Sequence, residues 1–104
     1  TSGEGVSMRE TGRNGFQSRL VQELQSIFPD AIIIRTDPRD TQGIPDVIIL
    51  NGDRWAALEI KKSANAHRQP NQPWFVDRMN NMSYAAFVYP SNKDRVLDEL
   101  QSAL

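Results

Sequence analysis

Residues 45–61 read Pro-Asp-Val-Ile-Ile-Leu-Asn-Gly-Asp-Arg-Trp-Ala-Ala-Leu-Glu-Ile-Lys, and this stretch decides the fold. Pro45 to Leu50, with the apolar run Val47 to Leu50, reads as a strand, with Pro45 tolerated only at its first position. Asn51-Gly52-Asp53-Arg54 is a hairpin signal, because Asn and Gly accept the backbone angles of a tight reversal. Trp55 to Lys61 then reads as the returning, antiparallel strand. Side chains alternate faces along a strand, so Glu59 and Lys61 share one face. Where Asp46 lies depends on the loop. A four-residue loop over 51–54 places Leu50 opposite Trp55 and Asp46 opposite Glu59. A turn made by Asn51-Gly52 alone places Asp46 opposite Ala57, one diagonal step from Glu59. Only a three-residue loop sends Asp46 to the other side.

In either of the first two registers the carboxylates converge, since opposed Cβ atoms lie about 5 Å apart and diagonal ones roughly 7 Å. Like charges at that distance repel, and a sheet built for stability alone does not favour them. Lys61 supplies one positive charge. A divalent cation answers the pair better, because Mg²⁺ takes one or two carboxylates plus waters and phosphate oxygens at about 2.1 Å. The bland alternative is a surface ion-pair cluster on an exposed sheet face.

Outward from the hairpin, Phe16, Leu20, Leu24 and Ile27 recur at helical spacing between Arg13 and Phe28. Pro29-Asp30 ends that helix, and Ala31 to Ile34 follows as a strand expected to be covered on both faces. The polar segment 39–44, with Gly43 in it, reads as a loop. Beyond the hairpin, 63–73 is polar and proline-bearing. Trp74, Phe75, Val76, Met79 and Met82 then space themselves as a second helix, with Trp74 and Phe75 expected in the core or a subunit interface. Tyr84 to Tyr89 is a fourth strand. Ser91 with Asp94 resembles a capping box opening a terminal helix striped by Val96, Leu97, Leu100 and Leu104. The expected architecture is α/β, an αβββαβα core with a mixed four-stranded sheet flanked by helices.

The chain has 104 residues, 38% of them hydrophobic and 24% charged, which suits one globular domain over residues 8–104. Residues 1–7, small and Gly-rich ahead of Met8, read as an expression-tag remnant. Twelve Lys and Arg against 13 Asp and Glu give a net charge of −1, so any basic surface for nucleic acid must be local. With no cysteine and one histidine, disulfides and thiolate zinc sites are excluded and a metal would be held mainly by oxygen. No apolar run approaches the roughly 20 residues of a membrane span, and the chain reads as soluble and cytoplasmic. Arg35, Arg39, Lys62, His67 and Arg68 fall on strand ends and loops near the acidic pair. They are candidates for a basic rim that meets DNA, although such residues also simply solubilise a surface.

Pro45-Asp46, twelve residues, then Glu59-Ile60-Lys61 resembles the PD-(D/E)XK nuclease signature, and the αβββαβα order is similar to the restriction-endonuclease-like core of that superfamily. Gly43-Ile44-Pro45-Asp46, the short hairpin and Gln72 look like its VRR-NUC and Holliday-junction-resolvase branch, especially small stand-alone phage versions. The resemblance implies Asp46 and Glu59 as ligands of Mg²⁺ or Mn²⁺, with the backbone carbonyl of Ile60 as a third. It implies that Lys61 orients or helps deprotonate the attacking water, and that Gln72 acts near the metal or the scissile phosphate. The implied activity is a structure-specific DNA endonuclease, cutting Holliday junctions or flaps as a homodimer in the cytoplasm, of the host if phage-encoded. It leaves a 5′-phosphate and a 3′-hydroxyl. A restriction-like or nicking nuclease, or a non-catalytic nucleic-acid-binding module, are the alternatives. Related nucleases usually carry a further glutamate on the first helix. The nearest acid here is Glu10, with Gln17 as a neutral substitute, and Glu23 reads as a solvated flank.

Overall fold

The computed structural model describes residues 12–104. The tag reading of 1–7 and the candidate Glu10 lie outside the described residues. The elements run α1 (Gly12–Ile27), β1 (Ile32–Arg35), β2 (Val47–Asn51), β3 (Arg54–Ile60), α2 (Asn71–Met82), β4 (Tyr84–Val88) and α3 (Lys93–Ala103). The four strands form one sheet in the order β1-β2-β3-β4. The first two pairings are antiparallel and β3 pairs parallel with β4. The αβββαβα order and the mixed sheet are those expected from the sequence.

One face of the sheet carries the main core. Phe16, Leu20, Val21, Leu24 and Phe28 from the α1 region meet Val47, Ile49, Ala56, Leu58 and Ile60, closed by Val96, Leu97 and Leu100 of α3. The opposite face packs more lightly. Ala57 and Ala85 sit side by side across the β3–β4 ladder, and their small side chains admit Val76 of α2, with Ile48, Trp55, Met79 and Phe87 around it. Gln72, Phe75, Val76 and Met79 are the less exposed positions of α2, the i, i+3, i+4, i+7 pattern of one helical face.

Four local expectations are corrected. Strand β1 is not covered on both faces: Ile32 is 61% exposed and Ile34 is also open, because β1 is a sheet edge and α2 lies over β3 and β4 instead. Trp74 is 57% exposed, so a place in the core, one half of the expectation, is ruled out and the inward stripe of α2 passes it by. It stacks edge-on against Phe75 with ring centroids 4.9 Å apart. Helix α2 starts at Asn71, ahead of Pro73, since a first-turn proline lacks only an N–H that has no helical partner anyway. The capping box does not form. Asn92 holds the N-cap of α3, and its side chain ties down the preceding strand end, accepting from Tyr89 N–H at 2.8 Å and donating to Phe87 O at 3.0 Å.

Candidate active site

The hairpin sets the site. Leu50 pairs with Trp55 and Val47 with Leu58, so continuation of the ladder by one residue faces Asp46 with Glu59, the first of the registers considered above. The reversal itself is tighter than a four-residue loop: Asn51 pairs with Arg54, leaving Gly52 and Asp53 to turn, and Gly52 takes φ 67, which only glycine adopts without strain. Asp46 stands just outside β2 but stays in the ladder, its carbonyl accepting from Thr36 N–H at 2.9 Å.

Both oxygens of Asp46 are engaged. Oδ2 accepts from the backbone N–H of Ile60 at 2.8 Å, and Oδ1 meets the Arg13 guanidinium at 2.7 Å. Glu59 differs. It is 1% exposed on the most buried strand, where a carboxylate is unfavourable without partners. Its Oε2 accepts from Gln72 Nε2 at 2.8 Å and has Lys61 Nζ at 3.7 Å. Its Oε1 is buried with no hydrogen-bond partner. Loss of water and the adjacent Asp46 charge push the Glu59 carboxyl up to about 8, against the pull of Lys61 and Arg13.

Lys61 is itself buried and its ammonium is fixed by two oxygens, His67 O at 3.0 Å and Gln72 Oε1 at 2.8 Å. Gln72 is therefore a bridge: its amide oxygen accepts from Lys61 and from Gln69 N–H at 2.8 Å, while its amide nitrogen donates to Glu59. Gly43 lets this part of the site close. With φ 87 it lies so near the start of α2 that an added Cβ would fall 2.4 Å from Asn71 Cβ, one residue before Gln72.

Of the residues expected at the site, Asp46, Glu59, Ile60, Lys61 and Gln72 are brought together. His67 takes part through its backbone carbonyl, and its residue is exposed. The other basic candidates are exposed as well. Arg39 turns onto Asp37 at 2.9 Å and holds that carboxyl below its ordinary range. The Arg68 guanidinium lies 3.8 Å from the Phe87 ring centroid. Glu23 pairs with Lys93 of α3 at 3.0 Å.

Sequence reasoning missed Arg13. Its guanidinium bonds Asp46 and also donates from Nε to Ile60 O at 3.1 Å. The signal was spacing: Arg13 precedes Leu20 by seven residues, two helical turns, which puts both on the sheet-facing stripe.

The donor set fits a divalent cation. An orphaned, buried carboxylate oxygen on Glu59, the opposed Asp46 and the Ile60 carbonyl make an all-oxygen group of the kind Mg²⁺ and Mn²⁺ accept. Among the described residues no group of three or more His, Cys, Asp or Glu side chains that could hold a metal is present, so a metal here would have two side-chain ligands and would need the carbonyl. No family model, curated protein or solved structure matches the chain, and the reading of the site rests on its geometry. Among the described residues no helix is long and apolar enough to cross a membrane.

Proposed function

We propose that the protein is a Mg²⁺- or Mn²⁺-dependent DNA endonuclease of the PD-(D/E)XK type. Branched DNA such as junctions or flaps is the substrate and a homodimer the working form, both following from the family resemblance. The observation that carries the reading is Glu59: a carboxylate 1% exposed, with one oxygen unpartnered, opposite a second carboxylate and beside a buried lysine.

A divalent cation held by Asp46, Glu59 and the Ile60 carbonyl supplies Lewis acidity, which neutralises phosphate charge and makes water a stronger nucleophile. The chain's own residues do the rest. Lys61 has three N–H donors, two of them spent on His67 O and Gln72 Oε1. The remaining donor stabilises charge developing on a phosphoryl oxygen and orients the attacking water. Gln72 keeps the ammonium and the Glu59 carboxylate in fixed relation. In the overall reaction water adds to phosphorus, the P–O3′ bond breaks, the water gives up a proton and the 3′-oxygen gains one. The products are a 5′-phosphate and a 3′-hydroxyl.

The test is incubation with a four-way junction, a flap and linear duplex in Mg²⁺ or Mn²⁺, with Lys61→Ala in parallel. Metal-dependent cutting of branched DNA that disappears in Lys61→Ala supports the reading. Equal cutting of linear duplex would redirect it to a restriction-like nuclease. One observation favours a second reading, a nucleic-acid-binding module without turnover: Arg13 already supplies Asp46 with a positive charge. Binding of all three DNAs without cutting in either metal is the result that module requires.

A further inference from the structure

We propose that Arg13 is a built-in cation that occupies the ligand set of the metal-free protein and must leave for a divalent ion to load. The inference rests on the metal reading of the site and adds a regulator to it. Its basis is that one guanidinium engages two of the three expected ligands at once, Asp46 Oδ1 at 2.7 Å through Nη2 and Ile60 O at 3.1 Å through Nε. The planar fork of arginine spans such a pair of acceptors, whereas an ammonium is a single point of charge. Its other Nη donates to Asn14 Oδ1 at 3.3 Å, so the group is anchored from its own helix.

The choice of oxygens matters. Asp46 Oδ2 accepts from the Ile60 N–H and Oδ1 from Arg13, so a metal that takes Oδ1 meets the guanidinium there. A divalent ion on that oxygen would lie within about 5 Å of the guanidinium, and repulsion between the two cations at that distance weakens the hold of each, so the ligand set favours one of them over both. The Arg13 side chain is 41% exposed while that of Asp46 is 14% exposed, so the guanidinium has the wider path to water. Glu59 Oε1, by contrast, has no hydrogen-bond partner. Loading therefore exchanges a monovalent for a divalent charge at Asp46 and gives Glu59 Oε1 a partner.

The experiment is calorimetric titration of MnCl₂, without DNA, into the wild-type protein and its Arg13→Ala, Arg13→Gln and Arg13→Lys variants, each checked for folding by thermal melting. Removing the competitor is expected to tighten Mn²⁺ binding about tenfold in Arg13→Ala and Arg13→Gln, the equivalent of roughly one charge-assisted hydrogen bond. Arg13→Lys, which keeps the charge without the fork, is expected between these and wild type. Equal or weaker binding in the neutral variants overturns the proposal and makes Arg13 a positioning residue, with the metal site intact. Absence of binding in wild type and variants alike overturns the metal reading and the inference together. In the wild-type protein, the Arg13 Nε–H resonance should lose its protection from exchange as Mg²⁺ saturates the site. Retained protection at saturation also overturns the proposal, whether or not the variants fold.

Discussion

The two carboxylates face each other across one ladder and live in different surroundings. Asp46 sits at the strand entrance with a backbone N–H on one oxygen and a partly exposed guanidinium on the other. Glu59 sits inside the sheet, held by the neutral amide of Gln72 and near the ammonium of Lys61, with its second oxygen unpaired. The entrance side is tied by a charge that can move into water. The inner side is tied by a buried relay that cannot. The difference teaches which half of the site is adjustable and which is preorganised, and each variant below breaks or sharpens it.

The largest effect belongs to the inner half. Glu59→Gln and Lys61→Ala are each expected to slow cleavage of a branched substrate by about a thousandfold, the scale of losing one acid–base or electrostatic group. DNA affinity measured in Ca²⁺ should change far less for Lys61→Ala. Next comes Gln72→Ala, which leaves both charged groups in place but removes the bridge between them. A fall in rate of about 10- to 100-fold is expected, as for other groups that orient a metal ligand. Rates unchanged within twofold would show that Lys61 and Glu59 position themselves.

Gly43→Ala probes the same relay through the backbone. A Cβ there meets Asn71 at φ 87, so a loss of about 1–3 kcal/mol is expected in denaturant unfolding, with a rate defect resembling that of Gln72→Ala. A smaller effect follows from Glu59 and pH. Its carboxyl is raised from 4.5 to about 8 in the folded chain. The folded state thus binds the proton more tightly than the unfolded one, and the associated stability is complete below the unfolded value and lost as pH rises through about 8. Without metal, Tm should fall by several degrees between pH 6 and 9. Glu59→Gln should flatten that slope, and added Mg²⁺ should restore most of the loss at pH 9. The smallest effect is expected at the open edge, where Ile32→Thr should shift stability by no more than about 0.5 kcal/mol, in contrast to every change at the site.

Much of this site was legible before the structure. The alternation of Pro45 to Lys61 fixes that Glu59 and Lys61 share a face and leaves the face of Asp46 to the hairpin register. The opposition of Asp46 and Glu59 is one of the few registers a short hairpin allows. Pro73 marks Gln72 as a helix-start residue, but its place at the site was legible only as part of a resemblance, since nothing in the sequence says that this first turn faces Lys61. Exposure of Ile32 and Trp74 was not legible at all: apolar residues in a run or at helical spacing look alike whether or not another element covers them.

Strand parity is a property of neighbouring residues, so the chain by itself determined that Glu59 and Lys61 share a face, that Asp46 joins them in two of three hairpin registers, and the αβββαβα order. Contacts between residues far apart depend on how helices dock. Only the tertiary structure decided that Arg13, 33 residues before Asp46, ends beside that carboxylate, and that Gln72 joins Glu59 to Lys61. The physical reason is that periodicity encodes a face, while the end of a helix is aimed by the packing of its whole length against the sheet.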